Sequence, residues 1–350
     1  MKKHVTRNRS SSSPENYARI KMNEERECSL LDENRLCSIQ LQLGHEYLSN
    51  TCAIYPRILN KVDETVEKST TLSCPEAARL VLLNEKGIQF FAEEEPGDTP
   101  GFMSNKLSTA QKELFWDLRI FSIRIMQDRT TSIENRLIVL GLFFQKIAKL
   151  DASDLKIQLP TIMDEYLASI SDAAFLASIE NMPKHVSFQL SVCKSLISYR
   201  SSTGVNRKRY VECLEEMLEG LKFDEELNLE EVKSFYAEAL QKYYTPFMEE
   251  HPYIFENYLV NYIFMNLFPY DQKKLFDSYV LLVVNFVLVK LHLIGMAKYH
   301  EGLTTEHVIK LVQSFTRTVN HDVRYLEDVK SVLSDSGYST MAHMAVLLKN

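Results

Sequence analysis

The sequence predicts a mainly α-helical protein, in which a small cysteine-containing N-terminal segment precedes a multi-helix body. Three observations predict this fold class. Apolar residues recur at helical spacing through most of the chain after about residue 104. Few segments alternate apolar and polar residues with the period of a strand, and glycine is scarce, with 10 residues in 350. Hydrophobic residues make up 45% of the chain, which is enough to bury a sizeable core.

The N-terminal part divides into a tail, a cysteine segment and a linker. Residues 1–16 are basic and serine-rich without a following apolar stretch, so they predict a flexible tail rather than a secretory signal. Residues 17–92 contain four of the six cysteines. Residues 93–104 combine acids with two prolines and two glycines, which cannot hold a helix or a central strand. We therefore predict a linker there and a helical domain at 105–350.

The body shows a series of amphipathic stretches. Two of them carry apolar faces, from Leu114 to Ile125 and from Ile133 to Ile147. The further predicted helical stretches lie at about 161–180, 184–200, 206–221, 228–242, 254–268, 272–298, 304–318, 322–334 and 339–348.

The longest apolar run, from Tyr279 to Ala297, contains Asn285, Lys290 and His292. A membrane-spanning helix needs roughly 20 residues with almost no charge, so a buried core helix is favoured. With neither a signal nor a membrane span, the expected compartment is the cytoplasm. The net charge of −7 argues against nucleic acid as a partner.

The four cysteines before the linker are the main chemical feature. Cys28, Cys37, Cys52 and Cys74 are separated by 8, 14 and 21 residues. Disulfides are disfavoured in the cytoplasm, which leaves thiolate chemistry or simple packing. Four thiolates could hold an iron–sulfur cluster or a zinc ion, and the spacing does not decide between them. Motifs for a Rossmann loop, a P-loop, a zinc protease or the usual radical cluster are absent from the sequence.

The residues around these cysteines resemble a known family. The run from Cys28 to Gln40 is similar to the stretch C-P-F-L-x-x-x-x-L-C-S-I-Q of the flagellin lysine-N-methylase family, and Leu72 to Arg79 is similar to its block L-S-C-P-E-A-A-R. The stretches from Gly44 to Arg57, from Leu137 to Gly141 and from Glu256 to Tyr262 also look familial. The resemblance covers most of the chain.

The resemblance implies an S-adenosylmethionine-dependent methyltransferase that modifies lysine side chains of flagellin. The family is associated with a [4Fe-4S] cluster, and Cys28, Cys37, Cys52 and Cys74 match family cysteines, which makes them the expected metal ligands. Family members usually begin with a further cysteine-rich block, whereas this chain starts with its basic lead. We therefore expect a short form whose cluster and activity are impaired.

A lysine methyltransferase must hold a lysine and lower its pKa, because an ammonium has no lone pair for attack. Tyr258, Tyr262 and Tyr270, near Glu256, could line such a pocket and hold a cation, or they could be packing residues. The weak catalytic candidates are Asn257, Tyr258 and Asn261, since two amides four residues apart between apolar neighbours need partners. The alternative functions are a non-catalytic flagellin-binding helical protein and a zinc-stabilised structural protein.

Overall fold

The computed structural model describes residues 3–9, 17–23, 27–94, 105–107, 112–202, 207–223, 229–269, 274–320 and 323–349. The chain divides into two compact units, Met1–Tyr55 and Pro56–Asn350. The second unit is mainly helical, which confirms the predicted fold class. Most of the predicted tail and linker lies outside the described residues, so the prediction of a flexible tail and a linker stays a prediction.

The first unit consists of short elements. Two strands, Val5–Arg7 (β1) and Ala18–Ile20 (β2), pair antiparallel. Isolated bridges join Met22 to Cys28 and Leu31 to Cys37, so both cysteines lie on paired backbone. The remaining elements are a helix, a 3-10 turn and a second helix at Ser38–Gln42 (α1), His45–Tyr47 and Asn50–Ile54 (α2).

The second unit opens with a hairpin and a helix. Strands Arg57–Val62 (β3) and Thr65–Thr70 (β4) pair antiparallel, and Asp63 takes the left-handed conformation that a two-residue turn requires. A short strand, Asn105–Leu107 (β5), adds parallel to β3. Helix Pro75–Leu82 (α3) begins at Cys74 with proline in its first turn, where the missing N–H has no cost.

Helices form the rest of this unit. Several begin at an oxygen-bearing cap that accepts a backbone N–H, as Ser132 and Asp151 do. The helices are Lys112–Gln127 (α4), Ile133–Ile147 (α5), Ala152–Ser169 (α6), Ala173–Glu180 (α7), Val186–Ser202 (α8), Lys208–Leu221 (α9), Leu229–Glu238 (α10), Thr245–Glu250 (α11), Tyr253–Met265 (α12), Leu275–Tyr299 (α13), Thr305–Phe315 (α14), Val323–Asp335 (α15) and Met341–Leu348 (α16). Two π-helical segments, Ala239–Tyr244 and Thr316–Asn320, extend α10 and α14.

Helix α13 is the centre of the body. By length and composition it could cross a membrane, yet 94% of its most apolar window is buried inside the fold, as predicted for a core helix. It packs against α9, α5, α14 and α16. The crossing with α9 is close because it places Gly220 against Gly295: a Cβ on Gly220 would lie 2.1 Å from the Gly295 carbonyl oxygen.

The division between the units lies earlier than the boundary that the sequence indicates. Residues 56–92 belong to the second unit because their polar side chains are tied to the helices. Asn60 of β3 donates a hydrogen bond to the Met265 carbonyl at the end of α12, at 2.8 Å. Glu67 of β4 forms an ion pair with Arg119 of α4. The composition of the predicted linker gave no sign of these long-range contacts.

One predicted helical stretch, at about 161–180, is two helices in the structure. Helix α6 begins earlier, at the cap Asp151, and continues through Pro160. Asp172 then caps α7, where its carboxylate accepts from the backbone N–H groups of Ala174 and Phe175. The capping side chains thus define the boundaries more directly than the apolar pattern does.

Candidate functional site

A groove on the second unit lies between helix α4, the end of α12 and the extended segment that follows α3. Its cavity volume is about 540 Å³. We call it the aromatic groove. Its apolar wall consists of Phe90, Trp116, Ile120, Ile123 and Phe264. Its polar lining consists of Arg119, Arg124, Gln127 and Asp128.

Arg119 anchors the base of the aromatic groove. Only 1% of its side chain is exposed, and its two terminal nitrogens donate to the Glu67 carboxylate at 2.6 and 2.8 Å. The second of them also donates to the Phe264 carbonyl at 2.8 Å. Bidentate pairing of this kind fixes orientation as well as charge. The pair therefore holds the hairpin, α4 and α12 in one arrangement.

The guanidinium of Arg119 also fixes the aromatic wall. Its central carbon lies 4.2 Å from the ring centroid of Phe264, 5.2 Å from that of Phe115 and 5.5 Å from that of Trp116. These are cation–π distances. The Phe90 ring meets the Phe264 ring at 4.6 Å. The groove thus presents ring faces whose positions are set by a buried charge.

A second cavity, of about 560 Å³, adjoins the aromatic groove and shares Phe90 and Gln127 with it. The Gln127 amide donates to the Ile88 carbonyl at 2.7 Å and so fixes the shared wall. Gly87 has φ +78°, and a Cβ there would lie 2.9 Å from a Glu256 carboxylate oxygen. Glycine at this position therefore lets the chain pass over Glu256.

Glu256, in the lining of the second cavity, is buried between two arginines. Arg129 donates to its carboxylate at 2.7 and 2.9 Å, and Arg136 lies 3.4 Å from it. The hydrogen bond from Arg129 raises the pKa of that guanidinium, whereas burial lowers the pKa of Arg136. Glu256 is therefore paired with two guanidinium groups, which suits it to fixing α12.

The predicted candidates Asn257, Tyr258 and Asn261 are all buried on α12, and they line neither cavity. The Asn257 amide donates to the Asn84 carbonyl at 2.8 Å, which holds the turn after α3. Its oxygen has no hydrogen-bond partner among the described residues. Their catalytic role stays a prediction, and the contacts of Asn257 are those of a residue that joins elements.

The predicted tyrosine cluster is only partly brought together. Glu256 lines the second cavity, whereas Tyr258 packs edge-on against Phe255. Burial raises the pKa of Tyr262 to about 12, so its hydroxyl stays protonated. Tyr270 lies outside the described residues.

A comparison with known proteins identifies the family of this chain. The model of the FliB lysine N-methylase C-terminal domain matches residues 119–347. The chain belongs to the FliB lysine N-methylase family. The matched region begins at Arg119, in the base of the aromatic groove, and includes α12 and α13. The activity of this family is methylation of a lysine nitrogen.

Individual relatives agree with this assignment. The chain is 25% identical over 307 residues to the lysine-N-methylase of Salmonella choleraesuis (strain SC-B67), an alignment that covers 84% of this chain and 74% of the relative. The lysine-N-methylase of Salmonella typhimurium is also 25% identical, over 310 residues with the same coverage. The flagellar biosynthetic protein FliU of Salmonella muenchen is 42% identical over 55 residues, which are 16% of this chain and 32% of the relative. No solved structure shows a significant match.

Within this FliB family member, the predicted metal ligands are distributed over both units. Cys28, Cys37 and Cys52 belong to the first unit, and Cys74 caps α3 in the second. All four are free thiols that are at least partly exposed. Across the described residues, no three His, Cys, Asp or Glu side chains are gathered as metal ligands would be. The thiol chemistry fits an iron–sulfur cluster, and the role of these cysteines as its ligands stays a prediction.

The groove residues Phe90, Trp116, Arg119 and Phe264 were not predicted from the sequence. They come from three separate segments, and the α4 residues follow an ordinary amphipathic pattern. One signal existed: Trp116 is the single tryptophan of the chain, and Arg119 falls one helical turn after Phe115 and one turn before Ile123, both apolar. A charged residue inside an apolar stripe needs a partner, which points to a buried pair.

Proposed function

We propose that this chain transfers methyl groups from S-adenosylmethionine to lysine side chains of flagellin. The observation that carries the proposal is the family match over residues 119–347, which supports lysine N-methylation. Flagellin as the substrate is supported by the flagellar name of the relative from Salmonella muenchen. Two adjoining cavities with a shared wall are the arrangement that a reaction between two substrates requires.

The chemistry makes three demands on the protein. When bound, S-adenosylmethionine supplies an activated methyl group whose C–S bond breaks as the new N–C bond forms, which leaves a neutral thioether. The protein must orient the lysine, exclude water and take up the proton that its ammonium releases. An apolar wall desolvates the ammonium and lowers its pKa. Phe90, which lines both cavities, can provide this desolvation.

Asp128 is the acidic side chain in the lining of the aromatic groove. One of its carboxylate oxygens accepts from the backbone N–H and the hydroxyl of Thr130, which fixes its position at the C-terminal end of α4. A fixed carboxylate beside an apolar wall can attract an ammonium and accept its proton. We propose this role for Asp128, because Glu256 is already neutralised by two arginines.

The [4Fe-4S] cluster stays a prediction with its own measurement. Metal and sulfide analysis of anaerobically purified protein would distinguish the alternatives. Iron with acid-labile sulfide supports a cluster, zinc supports the structural protein, and neither leaves four ordinary thiols.

The test of the function is methyl transfer. Anaerobically prepared protein is incubated with isotope-labelled S-adenosylmethionine and unmodified flagellin, and lysine methylation is located by peptide mass spectrometry. The lysine-N-methylase of Salmonella typhimurium serves as the positive control. We expect label on flagellin lysines, a large loss with Asp128→Asn, and little change with Asp117→Asn, which replaces an exposed acid on α4.

Two results would contradict the proposal. If the control enzyme labels flagellin and this chain does not, the chain is not a methyltransferase for that substrate. Capture of flagellin without label would then support the binding alternative. If Asp128→Asn methylates at the rate of the unmodified chain, Asp128 is not the proton acceptor.

A further inference from the structure

We propose that the aromatic groove binds the adenosine part of S-adenosylmethionine, with Trp116 against the purine and Arg124 near the amino-acid carboxylate. The inference rests on the proposed function for the identity of the methyl donor. The position of the donor is argued from the groove alone, and the test below measures binding rather than methylation.

The size and the wall of the groove fit a nucleoside. A volume of about 540 Å³ lies within the range of pockets for small organic ligands, roughly 300–1,000 Å³. Trp116 is half-buried, so the wall offers ring faces that a base can reach. Stacking of a base on an aromatic side chain contributes about 1–3 kcal/mol and is possible for every base, because every base has a π-face. The ring positions are already fixed by Arg119, so binding orders few side chains.

The charges favour the donor over the target lysine as the occupant. Arg119 already places a guanidinium against Trp116 and Phe264, and the exposed Arg124 adds a second cation to the lining. A lysine ammonium among these rings would meet like charges at short range. A neutral purine would not.

The polar lining then orients the rest of the molecule. Arg124 can pair with the amino-acid carboxylate, because a guanidinium binds carboxylates in a bidentate geometry. Asp128 follows the last residue of α4 and keeps its proposed role as proton acceptor, for a lysine that reaches the sulfonium from the second cavity. The second cavity, beyond Phe90, is left for the lysine, and its cations Lys86 and Arg129 favour the unprotonated amine that the transfer needs.

The single tryptophan makes the inference directly testable. Intrinsic fluorescence of Trp116 is measured while S-adenosylhomocysteine, adenosine, ATP or methionine is titrated into the full chain. We expect saturable quenching by S-adenosylhomocysteine and adenosine and none by methionine. Arg124→Ala should lower the affinity for S-adenosylhomocysteine by about tenfold and leave the affinity for adenosine unchanged, since only S-adenosylhomocysteine carries a carboxylate.

A blocking variant and a matched control separate site from fold. Ile120 lines the groove and is 58% exposed, and Ile157 on α6 is 77% exposed and lines neither cavity. Ile120→Arg should lower the affinity for S-adenosylhomocysteine, measured by calorimetry, by at least about tenfold, whereas Ile157→Arg should leave this affinity unchanged. Circular dichroism confirms that both variants are folded.

Three outcomes would overturn the inference. They are absence of binding, S-adenosylhomocysteine binding that Ile120→Arg leaves unchanged, and ATP binding as tight as that of S-adenosylhomocysteine. If flagellin is methylated while the groove variants bind the donor normally, the proposed function stands and the site is wrong. If the groove binds the donor and flagellin is not labelled, the site stands and the substrate is wrong.

Discussion

The ion pair between Arg119 and Glu67 should be among the most sensitive points of the fold. Both side chains are almost fully buried, at 1% and 5% exposure. Among the residues that the structure describes, removing Glu67 leaves the buried guanidinium with only the Phe264 carbonyl as a hydrogen-bond acceptor. Removing Arg119 leaves a buried carboxylate without its two donors. Breaking such a pair from one side costs about 3–5 kcal/mol, because an uncompensated charge stays buried.

The measurement is a double-mutant cycle. Urea unfolding is followed by circular dichroism rather than by tryptophan fluorescence, because Trp116 contacts Arg119 and its emission would change with the substitution itself. We expect Glu67→Leu and Arg119→Met each to lower the free energy of unfolding by about 3–5 kcal/mol. The double variant should be more stable than either single variant, because no charge is left without a partner.

An exposed pair of similar geometry provides the control. Arg79 donates to both oxygens of Glu76, at 2.6 and 2.9 Å, with both side chains at least half exposed. Arg79→Met should change the urea midpoint little, because solvent replaces the lost contacts. Single variants at the Arg119–Glu67 pair that cost less than about 1 kcal/mol, the range for exposed pairs, would refute the reasoning.

Three further predictions concern the helical body. Burial raises the pKa of Glu134, but Lys290, at 2.5 Å, lowers it, and the net pKa lies below the ordinary value of a glutamate. The ion pair therefore stabilises the fold at pH values above that ordinary pKa, and this stabilisation is lost as the pH falls through the lowered pKa. Lys290→Met should therefore lower the urea midpoint near about pH 7 and have a smaller effect near about pH 4. Gly220→Ala should destabilise by about 1–3 kcal/mol in urea unfolding despite alanine's helix propensity, because its Cβ meets the Gly295 carbonyl, whereas Gly302→Ala, with open space around it, should have little effect. Burial raises the pKa of the Cys193 thiol to about 12 and that of the Cys213 thiol to about 11. N-ethylmaleimide should therefore label these two thiols only after unfolding, whereas the other four thiols react in the native chain, and mass spectrometry of the peptides detects the difference.

The helical architecture could be predicted because its cause is local. The apolar pattern from Tyr279 to Ala297 follows directly from burial in the centre of a helical body, and α13 lies there. Polar exceptions in that run, such as Lys290, were also interpretable, since each needs a partner within the core. The partner itself, Glu134, lies 156 residues earlier in the sequence. No local pattern contains that information.

The aromatic groove shows the same limit more strongly. Phe90 and Phe264 are ordinary apolar residues in their own segments, and only the fold brings their rings to Trp116, the single tryptophan of the chain. Asn257 and Asn261 are candidates because buried amides need partners, and Asn257 uses its amide to hold a turn. Unusual residues in a sequence therefore identified a structural joint, while ordinary residues formed the cavity.

The aromatic groove includes residues that precede the region matched by the family model. The matched region begins at Arg119, but the groove also needs Trp116 and Phe90, and the charge of Arg119 is balanced by Glu67. The hairpin and the segment after α3 are therefore part of the same functional unit as the helices. A fragment that began at residue 119 would keep the guanidinium and lose its carboxylate, so the domain defined by sequence similarity is smaller than the unit that physics requires.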